Sequence, residues 1–353
     1  MHKYLRAIQR FYYAFTAIPV RAIIKGRFSK DCENIVWYWP SYPRRKKENI
    51  RDSWHEIFLM KALADKKIPF KVHIGPNIGK YKGKKIFYCL NKYYNLFGFQ
   101  HYSDVLGHIM DQLENQDNII IPSKHEASHW ENKLFMHREF DRLGINTPKT
   151  DILSIKEILD ADHDYPFLIK DPNSAGSVGL YKIKDKKDIE DLHKHVFKNP
   201  SKLLLKQRLI NIRSDLRVIL IGAKIVHAYW RRNPSDEWKP TSTSFGSKVV
   251  FDEFPEQWRS HIIDTFKKLD IATGGFDVTW ENDDLSNEPM YLEVSSQYSP
   301  NPKFKSDYKN ERYGKYKKMF ELKDSYQKNF KDLFIDLYKQ FIDYKLKELD
   351  GKK

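Results

Sequence analysis

Apolar and polar positions along this chain change period several times, and each change marks a predicted element. The apolar run Asn34-Ile35-Val36-Trp37-Tyr38-Trp39 predicts a buried strand, and Phe70–Gly75 and Lys85–Cys89 predict two more. Helices are predicted over Trp54–Ala64 and Ser103–Glu114, with a short strand at Asn118–Pro122. Strands alternating with helices imply an open, mostly parallel sheet. A helix over Lys124–Leu143 is then stopped by Gly144, and Thr147–Thr150 leads into a small module containing the strand Phe167–Lys170. Leu203–Gln207 reads as a strand, and Asp215–Ile221 and Lys224–Trp230 read as a hairpin about Gly222. A helix near Glu256–Leu269 precedes the strands Gly274–Val278 and Tyr291–Ser296. Two terminal helices complete the pattern. Tyr4, Leu5, Ile8, Tyr12 and Phe15 share one face before Pro19, and Phe330, Leu333, Leu337, Phe341 and Tyr344 form a stripe within Met319–Leu349. The second stripe is expected to dock on the chain's own body.

Composition narrows the class. A length of 353 residues with 41% hydrophobic and 31% charged content suits a soluble protein of two or three domains. No apolar run approaches the roughly 18 residues of a membrane span. Cys32 and Cys89 make neither a disulfide framework nor a metal spacing, which points to a reducing, cytoplasmic compartment. The net charge of +15 is concentrated at the ends: residues 1–50 hold 11 Lys/Arg against 3 Asp/Glu, and residues 304–353 hold 14 against 9. Those ends contribute +8 and +5, so the middle is nearly neutral. A polyanion partner would act through the ends, and peripheral attachment to an anionic inner membrane face is one expectation. Compositional drift is the plain alternative. Aromatics interleaved with lysine at Tyr308–Tyr316 carry no recognised nucleic-acid motif, so nucleic acid is not expected as a partner. Arg44-Arg45-Lys46-Lys47 would clamp an anionic substrate or form a solvated charge run.

The chemistry is concentrated in the middle. Strand Phe167–Lys170 ends in a lysine and runs into Ser174-Ala175-Gly176-Ser177-Val178-Gly179, a small-residue loop whose N–H groups can converge on phosphate oxygens. Downstream, Asp277 and Glu293 sit amid apolar strand neighbours. Two carboxylates beside a triphosphate suit magnesium, which takes a few oxygen ligands plus substrate phosphates.

Lys133, Lys170 with its loop, Asp215-Leu216-Arg217, Arg231-Arg232, Asp277 and Glu293 stand in an order that resembles an ATP-grasp enzyme. The resemblance covers roughly residues 124–302 and is closest to the ribosomal-protein glutamate ligase branch of carboxylate–amine ligases. It implies an α/β (α+β) chain: a basic amphipathic helix at 1–30, an open α/β pre-grasp domain at 31–123, a central lid subdomain at 124–205, a metal-bearing subdomain at 206–303 and a basic helical tail at 304–353. It further implies that Lys133, Lys170, Ser174, Gly176 and Ser177 contact ATP phosphates. Lys206, Gln207 and Leu209 fall where the family's hinge meets adenine, with Gln207 in place of the usual acid. Asp215 and Arg217 match the motif near ribose, γ-phosphate and substrate, Arg231 matches the arginine that steadies the transferred phosphate, and Thr241 stands where an Asn is usual. Asp277 and Glu293 match magnesium-binding carboxylates. Ser295 departs from the family's Glu-x-Asn, and Gln297 or Asn301 are candidates to replace the missing amide oxygen.

By resemblance the chain is expected to be an ATP- and Mg²⁺-dependent ligase that joins a small-molecule carboxylate to an amine through an acyl phosphate. An amino acid is the default for one substrate and a cell-surface glycan precursor a candidate for the other. The competing expectation is a non-catalytic anion- or membrane-surface-binding protein that keeps the fold. His125-Glu126-Ala127-Ser128-His129 also matches the H-E-x-x-H pattern of zinc peptidases, but no third ligand follows at a recognisable spacing. His101, His108, His137 and His227 show no triad-like pairing and read as surface or core histidines.

Overall fold

The computed structural model describes residues 12–29, 31–38, 54–75, 77–90, 102–174, 176–235, 237–303 and 326–351. The stretch before Tyr12, Arg44–Lys47 and Tyr308–Tyr316 lie outside the described residues. The chain divides into two compact units, Met1–Lys124 with Ser299–Lys353, and His125–Tyr298.

In the first unit, strands β1 (Asn34–Tyr38), β2 (Phe70–Ile74), β3 (Lys85–Tyr88) and β4 (Ile119–Ile121) form a parallel sheet in the order β2-β1-β3-β4. Strands covered on both faces need near-continuous apolar side chains, and Ile35, Val36, Trp37, Ile86 and Phe87 are all buried. Helix α1 (Val20–Phe28) starts directly after Pro19, which suits a helix start as well as a stop. It packs on β2 through Gly26, where a Cβ would lie 1.8 Å from the Phe70 carbonyl oxygen. Helices α2 (Trp54–Asp65) and α3 (Tyr102–Glu114) follow β1 and precede β4.

The helix α9 (Tyr326–Asp350) lies along α2, with the Phe330 ring 5.7 Å from Trp54 and Phe334 5.8 Å from Phe58. Its buried stripe is Phe334, Leu337 and Phe341 flanked by Ile335 and Ile342, while Tyr344 is 38% exposed. The real stripe is thus rotated slightly from the predicted one. Tyr338 reaches His55 Nδ1 at 3.1 Å, and Lys339 pairs with Asp65 at 2.8 Å.

The second unit is built on two antiparallel sheets. The smaller has the order β5-β8-β6-β7, from Thr150–Ser154, Leu203–Arg208, Phe167–Lys170 and Leu180–Ile183. Helices α6 (Ile155–Asp160) and α7 (Lys186–His195) cover one face over Ile155, Ile158, Phe167, Ile169, Ile189 and Leu204. Ser154 and Glu157 close a capping box at the start of α6.

The larger sheet has the order β11-β10-β9-β12-β13, from Lys248–Val250, Lys224–Arg232, Ser214–Ile221, Thr273–Thr279 and Met290–Ser295. Its apolar face packs Leu216, Val218, Trp230, Phe276, Val278 and Val294 against helices α5 (Lys133–Arg142) and α8 (Arg259–Lys268). The predicted helix over Lys124–Leu143 is broken into α4 (Lys124–Ser128) and α5. Glu131 takes a left-handed φ of +47°, and the Asn132 side chain accepts from Phe135 N–H at 3.2 Å. That is an ordinary N-cap, and it restarts the helix at Lys133.

Candidate active site

Strand periodicity places every second residue on one face. On the face of the larger sheet opposite its core stand Asp215 and Arg217 of β9, Arg231 of β10, Asp277 of β12 and Glu293 of β13. Register sets them in two neighbouring rows: Arg231 lies opposite Asp215 in one, and Arg217, Asp277 and Glu293 stand side by side across β9, β12 and β13 in the other. Arg231 Nε donates to Asp215 Oδ1 at 2.7 Å, and Thr241 Oγ1 donates to Asp215 Oδ2 at 2.8 Å. Arg217 binds Asp277 through both Nε and Nη2, the latter at 2.9 Å, and Arg231 Nη2 reaches Asp277 Oδ2 at 2.8 Å.

Asp215 and Asp277 are buried, 1% and 6% exposed, so each carboxylate depends on its arginines to remain charged. Burial pushes the Asp215 carboxyl upward despite Arg231. Burial also pushes Asp277 upward, but Arg217 and Arg231 together outweigh it and hold that carboxyl below the ordinary range. Gly275 makes room for Arg217: a Cβ there would stand 3.3 Å from Arg217 Nη1 and 3.2 Å from Tyr298 Cβ.

A second group gathers around two lysines. Lys133 opens α5, and its ammonium donates to the Ser174 carbonyl and lies 3.5 Å from Glu293 Oε1. The Lys133 backbone N–H donates to the Pro172 carbonyl at 2.9 Å, tying the helix start to the loop after β6. Lys170 ends β6. Burial and the Lys133 charge push its ammonium down to about 8, against the pull of Glu293 and Asp277. The convergence of Lys133, Lys170, Asp277 and Glu293 thus draws on α5, β6, β12 and β13.

The loop between them is folded on itself. Asp171 N–H donates to the Gly179 carbonyl at 2.8 Å, and Ser174 Oγ donates to the Asp171 carbonyl at 2.8 Å. Gly176, Ser177 and Gly179 all have positive φ. A Cβ on Gly179 would stand 2.9 Å from Asp171 Cβ and 3.0 Å from Ser174 Oγ, so the loop closes here because no side chain intrudes.

The residues of the expected adenine hinge divide between the two faces of the smaller sheet. Gln207 is 1% exposed and donates from Nε2 to Thr150 Oγ1 at 2.8 Å. Gln207 pairs with Leu168, which stands on the same sheet face as Lys170. The Lys206 side chain takes the helix-covered face, 3.0 Å from His163 Nδ1 and above the Phe167 ring. Leu209 follows directly after β8, half-buried.

Glu293 and Ser295 share a face of β13, with Ser295 Oγ 3.4 Å from Glu293 Oε1. With Asp277 opposite, the donors are all oxygen, a set that fits magnesium completed by phosphate oxygens. Among the described residues, no group of three or more His, Cys, Asp and Glu side chains forms a metal cluster by itself. Asn301 belongs to the first unit, where its Oδ1 accepts from Tyr326 at 2.8 Å.

The H-E-x-x-H segment is spent on structure. Its helix spans five residues, Glu126 Oε1 accepts the Ala272 N–H at 2.8 Å, and His125 Nε2 donates to the Leu269 carbonyl at 2.8 Å. His129 is buried against the rings of His125 and Phe135, and burial drops its imidazole to about 3. His137, expected as a surface or core histidine, is a core one, and it stands beside the lysines of the site. It is 5% exposed, and burial followed by the charges of Lys170 and Lys133 pushes its imidazole down to about 3. Its four-residue spacing from Lys133 was the available signal, since that spacing shares a helix face.

No protein-family model matches the chain, and no curated protein matches it. Solved structures do. A RimK domain ATP-grasp protein from Sphaerobacter thermophilus is similar at 12% identity and a TM-score of 0.55, over 88% of this chain and 98% of its own. D-alanine–D-alanine ligase from Bacillus anthracis is similar at 12% identity and a TM-score of 0.58, over 92% of this chain and 100% of its own. The ATP-grasp ligase PsnB, solved with a minimal precursor, is similar at 13% identity and a TM-score of 0.51, over 87% and 99%. With one helix-bearing parallel sheet followed along the chain by two antiparallel sheets, and these likenesses across most of its length, the chain has the ATP-grasp fold.

Proposed function

We infer that the chain is a carboxylate–amine ligase driven by ATP and magnesium. The observation that carries this reading is the meeting of Lys133, Lys170, Asp277 and Glu293 on one face of a chain with the ATP-grasp fold. A carboxylate does not condense with an amine at neutral pH, because oxide is too poor a leaving group. In the proposed reaction a carboxylate oxygen attacks the ATP γ-phosphorus and ADP departs. The amine nitrogen then attacks the acyl carbon, the carbon–oxygen bond to phosphate breaks, and the amine loses a proton. Such transfer is mostly positioning and neutralisation of spread negative charge.

Lys133 and Lys170 neutralise the phosphates, and the Ser174, Gly176 and Ser177 loop covers them and excludes water from the acyl phosphate. The backbone of Lys206, Gln207 and Leu209 meets the adenine, and Asp215 orients Arg231. Arg217 and Arg231 stabilise the transferred phosphoryl and the acyl oxygen. Asp277, Glu293 and Ser295 would hold magnesium, which supplies Lewis-acid polarisation of the phosphates when bound. The substrates are small molecules on this reading, and the reaction belongs to the cytoplasm. No helix among the described residues is long and apolar enough to cross a membrane.

A second reading draws on Asp277, whose two oxygens already accept from Arg217 and Arg231: a nucleotide-binding protein without turnover. One experiment separates the two. The full chain with ATP, magnesium, pooled amino acids and hydroxylamine should release ADP and accumulate a hydroxamate. ATP binding without either product would leave the second reading standing.

A further inference from the structure

His137 is buried in the second unit with both ring nitrogens lacking any hydrogen-bond partner. Leaving two buried polar atoms unpaired is unfavourable, and an apolar residue of similar size would avoid it. The position is also specific. His137 lies one helical turn beyond Lys133 on α5, its ring against Phe140, and the start of that helix is held to the chain just past Lys170 by the Lys133 N–H bond to the Pro172 carbonyl at 2.9 Å. The charges of Lys170 and Lys133 both act on it. Among the described residues His129 is the other buried histidine with two unpaired nitrogens; it faces His125 and Phe135, and no lysine is among the groups that act on it. Burial, reinforced by the two lysine charges, keeps His137 neutral at physiological pH, which leaves one ring nitrogen as an acceptor and one as an N–H donor. Lys170 has three N–H donors, and Glu293 and Asp277 pull on it through space without a side-chain hydrogen bond to it.

We propose that His137 is a positioning residue for Lys170: with nucleotide bound, one ring nitrogen accepts a hydrogen bond from the Lys170 ammonium and keeps it aimed at the phosphates. This rests on the ATP-binding reading of the site. It gives an otherwise unfavourable buried imidazole a reason to be there, and it assigns α5 two contributions to the phosphates, Lys133 directly and His137 through Lys170.

The test uses the full chain and calorimetric titration with magnesium ATP and, separately, adenosine. His137→Phe keeps ring volume and removes the acceptor, whereas His137→Gln keeps an acceptor. His137→Phe should weaken ATP binding by roughly ten-fold, the scale of one hydrogen bond to a charged group. His137→Gln should recover most of that loss, and adenosine binding should not change in either. Equal ATP affinity in His137→Phe and the parent would overturn the proposal while leaving the nucleotide site intact. So would a Gln variant no better than Phe, or parallel losses for ATP and adenosine, which mark a packing role. A parent chain without ATP affinity would overturn the site reading itself, and this proposal with it. If His137→Phe does not fold, the comparison of His137→Gln with His137→Leu at matched melting temperature decides.

Discussion

The two halves of the candidate site handle charge in opposite ways. Across β10, β9 and β12 the charges satisfy one another: Arg231 with Asp215, Arg217 with Asp277, and Arg231 again with Asp277. Around α5 and β6 they do not: Lys133 and Lys170 repel each other, Glu293 compensates in part, and the two ring nitrogens of His137 on α5 have no hydrogen-bond partner. The rows of paired residues are fixed by strand register and belong to folding as much as to chemistry. The lysine pocket is held under electrostatic stress that an incoming polyanion would relieve. On the proposed reading, the site is rigid where it would meet its substrate and unsatisfied where it would meet the triphosphate.

The contrast can be broken most severely in the paired rows. Arg231→Met leaves the buried Asp215 carboxylate without its cation, and thermal or urea unfolding should show a loss of about 3–5 kcal/mol. Lys170→Met should do the reverse, leaving the melting temperature unchanged or raised while ADP release falls by roughly a hundred-fold or more. Normal turnover in Lys170→Met would remove the lysine from the mechanism.

A pH series sharpens the same point. With its pKa near 8, Lys170 is charged below that value and loses its charge above it, so ATP affinity should decline as pH rises past 8. At the acid end His129 and His137 titrate near 3 when folded and near 6.5 when unfolded. Between those values the unfolded chain binds protons that the native chain does not. Their contribution is therefore intact above pH 6.5 and is lost as pH falls, on the order of 2 kcal/mol for each histidine by pH 5. Melting curves at pH 7 and pH 5, with His129→Phe for comparison, measure it. The smallest effect is expected from Ser295→Asn, which supplies an amide oxygen beside Glu293 and should leave magnesium affinity equal or a few-fold tighter, on the order of 1 kcal/mol at most. A large loss would mean that the Ser295 hydroxyl does something else.

Much of this arrangement was legible in the chain. Strand Phe167–Lys170 has the predicted ends, and the hairpin about Gly222 pairs Ile221 with Lys224. These elements carry strong apolar patterns that tertiary context only reinforces. Strands Thr150–Ser154, Leu180–Ile183 and Lys248–Val250 escaped prediction because they are short, half-buried edge strands without a distinct apolar face. The break before Lys133 was written locally in Asn132, a capping residue overlooked in favour of continuous helical periodicity. The pairing of Asp277 with Arg217 and Arg231 could not be read, because it depends on the registers of three strands. His137 could be read only as a surface or core histidine, because the role proposed for it depends on Lys170, thirty-three positions later in the chain.

Gly275 carries a consequence for any attempt to redesign this protein. The guanidinium of Arg217 lies over a bare stretch of β12, so even one methyl group there would compete with it for volume. The placement of Arg217 is therefore guarded by an absence of atoms, and a library that varied only the charged positions would never discover what holds it in place.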